Sequence, residues 1–252
     1  MEARWRQVVR VAVPTVLLSV VAACTAGQSS SPQKVMSVHK VVSTDSASLI
    51  VTITDGRLSL VPGSPGQVSL QGTVTYRGSR TPTILWQEGT PGLTLQSICP
   101  SGDTDCGYDY TLVVPVSMAV IASNMAGDVS ARGLTSPAHL VALAGNVTLA
   151  DLAGRIDVTA TAGDVVATNL DSQVANVTAG AGDVTLRFAV PPSQVSVHNG
   201  AGNVTAVLPS SASYHVIIVV GQGVTSNSLG DDPSSQRVIS LATGTGNVTV
   251  SS

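Results

Sequence analysis

Aromatic side chains are almost missing from this chain: one Phe (Phe188), two Trp and four Tyr in 252 residues, 3% in all. A core built around large rings is therefore excluded. The apolar content, 43% of the residues, is Val, Ala, Leu and Ile in short runs. Small and β-branched side chains of this kind fill a thin core and suit pleated strands better than helices. Charge is scarce too, at 11%. Arg4, Arg6, Arg10 and Glu2 lie at the N-terminus; without them 9 Lys and Arg stand against 14 Asp and Glu, a net charge of −5. That balance excludes nucleic acid, and the charge of an anionic membrane surface, as the main partner. Sustained helical periodicity is also lacking after the first segment. The familiar chemical motifs are missing as well: no Gly-x-Ser-x-Gly elbow, no HExxH and no phosphate loop. The four His (His39, His139, His198, His215) lack metal-ligand spacing. Neither a catalytic group, a metal site nor a cofactor is expected, and the chain reads as a non-enzyme.

What is present begins with residues 1–23. Arg4, Arg6 and Arg10 precede an apolar stretch from Val11 to Val21, and Val21-Ala22-Ala23-Cys24 follows. The charged start, apolar middle and small residues before a cleavage point have the organisation of an export signal. The apolar stretch is shorter than the roughly 20 residues of a spanning helix. Val21-Ala22-Ala23-Cys24 resembles the lipobox of bacterial lipoproteins. The resemblance implies cleavage before Cys24 and lipidation of its thiol, which places the protein on the outer face of a bacterial cell membrane. Two or three acyl chains anchor stably, at about 0.8 kcal/mol per buried CH₂. Residues 24–36, rich in Ser, Gly and Gln, then serve as a flexible tether.

With Cys24 lipidated, Cys99 and Cys106 remain as a pair in an oxidising compartment. The turn-rich Pro100-Ser101-Gly102-Asp103-Thr104-Asp105 between them allows a disulfide, with free thiols or a metal pair as the alternatives.

Residues 37–125 form an N-terminal β region of short alternating runs, expected as hairpins or irregular coils. Asp55-Gly56, between Ser48–Thr54 and Arg57–Val61, reads as a two-residue hairpin turn. Residues 126–252 hold an internal repeat, with 37–252 expected as one continuous domain. Its core is Gly127-Asp128-Val129, Gly145-Asn146-Val147, Gly163-Asp164-Val165, Gly182-Asp183-Val184, Gly202-Asn203-Val204 and Gly246-Asn247-Val248. Spacings of 18, 18, 19 and 20 residues are followed by one of 44, about two repeats. A fixed period of this size signals a solenoid. Gly154-Arg155-Ile156 falls at a half-step and divides each repeat into two strand-turn units. Glycine suits a turn with positive φ, and Asp or Asn tolerates or caps it. The Val that follows then points inward, placing Val129, Val147, Val165, Val184 and Val204 in one interior row beside a polar Asp/Asn row. Asp128, Asp164 and Asp183 could in principle bind calcium, but Asn replaces Asp freely and the calcium β-roll signature is absent. Asn146, Asn176, Asn203 and Asn247 match the N-glycosylation pattern, but three of the four are the repeat motif itself, and all four read as turn residues. Arg155 with Asp157 reads as a salt bridge. The final strand stops two residues from the chain end with no capping helix, so one solenoid edge is expected to be open or paired with a partner.

Tyr110-Thr111-Leu112-Val113-Val114-Pro115, the serial Gly-Asp/Asn-Val turns and the closing Thr245-Gly246-Asn247-Val248-Thr249-Val250 resemble the bacterial adhesin-like β-strand-repeat family, a domain of unknown function. The resemblance covers most of residues 40–252. It implies an all-β, right-handed parallel β-solenoid at the cell surface, and adhesion. It supplies no catalytic residues. The expected function is an adhesin-like or scaffold lipoprotein binding an envelope polymer or surface protein. A sensor or accessory lipoprotein of an envelope-stress system is the alternative; a carbohydrate-active β-helix enzyme would need clustered carboxylates that the sequence lacks. Nothing in the sequence sets the oligomeric state.

Overall fold

The computed structural model describes residues 32–100 and 105–252; Cys24 and the export segment lie outside the described residues. Among the described residues the regular elements are all strands, numbered here in chain order. The first seven are β1 (Lys34–Ser43), β2 (Ser48–Ile53), β3 (Leu58–Gly63), β4 (Gln67–Tyr76), β5 (Thr83–Glu88), β6 (Leu93–Ile98) and β7 (Cys106–Pro115). The repeats follow as pairs: β8 (Ala119–Ala126) with β9 (Val129–Arg132), β10 (Ala138–Ala144) with β11 (Val147–Ala150), and β12 (Ile156–Ala162) with β13 (Val165–Leu170). Next come β14 (Val174–Ala181) with β15 (Val184–Phe188) and β16 (Gln194–Ala201) with β17 (Val204–Val207). The last are β18 (His215–Gln222) with β19 (Thr225–Asn227) and β20 (Val238–Thr245) with β21 (Val248–Ser251).

Each pair is one coil of a solenoid, with its first strand in a 10-stranded sheet and its second in an 11-stranded sheet. Along the repeats every pairing is parallel, and the register is unbroken except between β13 and β15, where it shifts between Ala167 and Leu170. Val129, Val147, Val165, Val184, Val204 and Val248 stand opposite one another on successive strands. All six are buried. The facing sheet contributes Leu140, Val158, Val177, Val197 and Leu241 in a second buried row. Strict alternation sends these side chains inward and their neighbours out. Burying each such side chain contributes roughly 1.5–3 kcal/mol. A thin, aromatic-poor core is thus enough, because every coil adds the same small increment. The period, the two strands per repeat and the interior Val row follow the sequence expectation, and the fold is an all-β solenoid.

The order of the coils in space is not their order in the chain. The coil β2–β3 lies between β6–β7 and β8–β9. At the other end β20–β21 lies between β16–β17 and β18–β19. Two expectations are corrected by this. Asp55-Gly56 is not a hairpin turn, because β2 and β3 belong to different sheets; it is a coil corner, with Gly56 at φ 112°. The last strand, β21, is not an open edge, since β17 and β19 flank it on both sides. The edge strands at that end are β18 and β19. The hairpin character expected of the N-terminal region survives in part: β5 pairs antiparallel with β6, and β1–β4–β7 form an antiparallel ribbon. One cluster of buried residues nevertheless runs from Leu49 to Val250.

Cys99 and Cys106 are joined by a disulfide, with their Cα atoms 5.9 Å apart. It ties the end of β6 in one sheet to the start of β7 in the other. A loop this short restricts the unfolded chain by about 2.5 kcal/mol in the chain-entropy account. The double change Cys99→Ala and Cys106→Ala should lower unfolding free energy in urea by about that amount. Unaltered stability would show that the corner is held by its strands alone.

Candidate functional site

The repeat motif builds the corner between the sheets. At each corner the glycine takes positive φ, from 108° at Gly127 to 142° at Gly246. The next residue, Asp or Asn, links its coil to the following one. The Asn146 N–H donates to Oδ1 of Asp128 (2.9 Å), and the Asp164 N–H to Oδ1 of Asn146 (3.0 Å). The N–H groups of Asp183, Asn203 and Asn247 continue the series at 2.8, 2.7 and 3.0 Å. It ends where the Val224 N–H donates to Asn247 at 3.0 Å. Each rung needs one carbonyl-type oxygen, which Asn supplies as well as Asp. That is why the two interchange freely. The row satisfies backbone donors that the corner takes out of the sheets; it is an edge of hydrogen bonds along the stack.

A second column at the opposite corner escaped the sequence reading. Gly133, Asp151 and Asn169 adopt φ of 65°, 56° and 53° at an 18-residue spacing. Asn169 donates to Asp151 at 2.6 Å, and Arg132 donates to it at 3.2 Å. The only signal was that Gly, Asp and Asn share a tolerance for left-handed backbone.

The corners being committed to the fold, the free chemistry lies on the outer faces. On the 10-stranded sheet, one outward row holds Ile121, His139, Asp157, Asn176, Ser196 and Ser240 on successive strands. Two residues along, Thr159, Thr178 and His198 form a parallel row. The other sheet presents Ser130, Thr148, Val166, Thr185, Thr205 and Thr249. Thr148, Thr178, His139 and His198 are exposed. Successive strands repeat at about 4.8 Å, so these faces are flat gratings of hydroxyl, amide and imidazole groups, interrupted by the exposed Ile121 and Val166. Arg155 meets Asp157 in a two-pronged contact, Nε to Oδ2 at 2.8 Å and Nη2 to Oδ1 at 3.1 Å. Asn176 adds a third bond to Oδ1 at 2.7 Å. The Arg155 guanidinium, then Asn176 and the nearby positive charge, hold the Asp157 carboxyl below the usual carboxylate range. Asp164 is not part of this cluster; its carboxylate serves the corner row.

The depressed affinity of Asp157 for a proton makes a signed expectation. Its ionised form favours the folded state above the unfolded carboxyl value near about 4, and that contribution disappears as pH falls through the lower folded value. Arg155→Ala should therefore reduce the melting temperature at neutral pH, with the difference from wild type shrinking as pH drops below about 4. The effect is small, because the pair is solvent-screened. A difference independent of pH would show that Arg155 acts by packing alone.

At the C-terminal end, His215 Nδ1 lies 3.1 Å from Asp231, which also accepts the Val216 N–H at 2.9 Å. Ser234 donates its hydroxyl to Asp232 at 2.6 Å, and Ser235 donates to the Ser213 carbonyl at 2.8 Å. These bonds fasten the 228–237 return loop. Among the described residues no group of three or more His, Cys, Asp or Glu is placed to hold a metal. No helix among them is long and apolar enough to cross a membrane.

A profile of the Toastrack DUF4097 family matches residues 25–251, nine-tenths of the chain. The chain belongs to the Toastrack DUF4097 family. Solved structures similar to this Toastrack chain are adhesin-type proteins of low identity. One from Bacteroides fragilis is 13% identical, with 87% of this chain and 97% of that one covered and a TM-score of 0.45. A cell-adhesion-type protein of Clostridium sporogenes is 11% identical over 86% and 99% of the two chains, at a TM-score of 0.36. One from Parabacteroides merdae is 11% identical over 85% and 95%, at 0.33. No curated protein matches the chain.

Proposed function

We propose that this Toastrack protein is an exported envelope lipoprotein, anchored through Cys24, that binds a wall polymer or a surface protein without turning it over. The observation that carries the reading is the division of labour in the stack. Corner Asp and Asn side chains are bonded coil to coil. The outer rows, in contrast, offer Thr178 and His198 to solvent on flat faces of low charge. Such a face suits many weak, regularly spaced hydrogen bonds to an extended partner, the mode in which affinity accumulates by repetition. Residues 1–23 act as the export signal, 24–36 as the tether and 37–252 as one binding domain.

The test is co-sedimentation of the full-length protein with purified cell-wall polymer and with envelope proteins, alongside Thr178→Arg with His198→Arg. The variant should fold normally and lose retention about tenfold, which corresponds to about 1.4 kcal/mol. Unchanged retention, or release of soluble fragments from the polymer, would refute the reading. Cys24→Ser should move the protein from the membrane fraction to the soluble one.

A further inference from the structure

Three connecting segments meet at one end of the C-terminal coils. Ser193 directly precedes β16, Arg237 directly precedes β20, and Ser213 lies two residues before β18. The three strands are neighbours in the order β16–β20–β18. Their starts enclose a cleft of about 520 Å³, lined by Ser193, Ser213, Asp232, Ser234, Ser235 and Arg237, with Gln236 beside them. Arg237 is half-buried and braced: its Nη1 donates to the Pro191 carbonyl at 3.0 Å and to the Pro192 carbonyl at 3.1 Å. Neither proline lines the cleft. Nε and Nη2 have no acceptor within the chain, and the guanidinium meets no carboxylate among the described residues. Arg77, Arg132 and Arg155, by contrast, each face an aspartate. A braced and partly desolvated cation is thus left without a counter-ion. Nε–H and Nη2–H form the planar fork that grips two oxygens of a carboxylate or phosphate.

The serines supply the opposite property. Ser193 donates its hydroxyl to Gln173 at 2.8 Å, Ser234 to Asp232 at 2.6 Å, and Ser235 to the Ser213 carbonyl at 2.8 Å. The Ser213 side chain bonds Asp232 in turn. Hydroxyls whose protons are spent in this way still accept. The cleft therefore combines one cationic fork with a wall of acceptors. A bare anion finds few donors besides Arg237, and Asp232 repels it. A neutral sugar satisfies the acceptors but leaves the fork unpaired. We propose that this cleft binds a sugar unit bearing one acidic group, a carboxylate or a phosphate ester. The acid sits on the Nε–Nη2 fork of Arg237, and the sugar hydroxyls donate to the serine oxygens and to Asp232. The site lies at the strand starts, not on the face that carries Thr178 and His198. It rests on the polymer-binding reading only for where such sugars are met.

Calorimetric titration of the full-length protein in a mild detergent tests it, with glucuronic acid, galacturonic acid, glucose 6-phosphate, glucose and inorganic phosphate as probes. At least one acidic sugar should bind about tenfold tighter than glucose and than inorganic phosphate, the scale of one charge-assisted hydrogen bond. A uronic acid as the tightest probe identifies a carboxylate as the group held; glucose 6-phosphate identifies a phosphate ester. Arg237→Lys keeps the charge but loses the fork, and should forfeit that preference. Because Arg237 also braces two carbonyls, Gln236→Glu is the second variant. The Gln236 side chain makes no hydrogen bond within the chain, so the change adds only a like charge beside the acid. It should weaken the acidic sugar about tenfold and leave glucose unchanged. No binding of any acidic sugar at millimolar concentration would overturn the proposal. So would equal affinity for glucose or inorganic phosphate, or an acidic sugar indifferent to both variants. None of these outcomes depends on polymer retention by the Thr178 and His198 face, so the cleft and that face fail separately.

Discussion

Gly163→Ala should be among the most damaging single-methyl additions to this protein, lowering unfolding free energy by roughly 3–5 kcal/mol. Gly163 sits at a mid-stack corner with φ 132°. A side chain there is strained whatever the space. The space is also taken, because a Cβ would enter the carbonyl of Gly145 on the preceding coil. That carbonyl is backbone fixed by its own neighbours, so relief requires the coils to separate. Gly66→Ala is the control. Gly66 also has positive φ, 79°, but a Cβ there meets nothing within 4 Å. It should cost only the backbone preference, roughly 1–2 kcal/mol. Equal losses in urea denaturation would mean that coil-to-coil approach is not what the glycine permits.

Leu241→Ala should cost roughly 2–5 kcal/mol, as much as Leu140→Ala. The two leucines occupy the same interior row and are both fully buried. Leu140 lies in mid-stack, whereas Leu241 lies close to the chain end. If the last coil were the outermost, its residues would fray and their loss would be mild. Because β20–β21 is inserted beneath β18–β19, removing Leu241 opens a cavity inside the stack. A Leu241→Ala effect well under that of Leu140→Ala would contradict the inserted order.

This insertion also marks where sequence reading ends. Periodicity is a local property: it says that a Gly-Asp/Asn-Val unit makes a corner and that the Val points inward. The interior Val row and the half-step at Gly154 were legible for that reason. Which coil lies beside which is decided by how the connections run, and no spacing encodes it. Gly56 belongs to the same corner column as Gly127, whose Cβ position faces the Gly56 carbonyl. It sits far upstream in an out-of-order coil, and an Asp-Gly pair suits a hairpin and a coil corner equally. Gly223 belongs to the column as well, against Gly246. It is followed by Val224 instead of Asp or Asn, because the terminal corner has no further coil to accept from. The outer rows were hardest to see. Thr, Ser and Asn outside a sheet are ordinary solvent-facing residues until the register aligns them, as it does for Asp157, Asn176 and Ser196.

The repeat motif and both inserted coils are committed to a closed stack, which leaves the outer faces for recognition. Amide hydrogen exchange on the intact protein tests the stack most directly. Amides of β20 and β21 should exchange as slowly as those of β10–β13 in mid-stack, despite their place at the end of the chain. Rapid exchange of β21, ahead of the other strands of its sheet, would contradict the account.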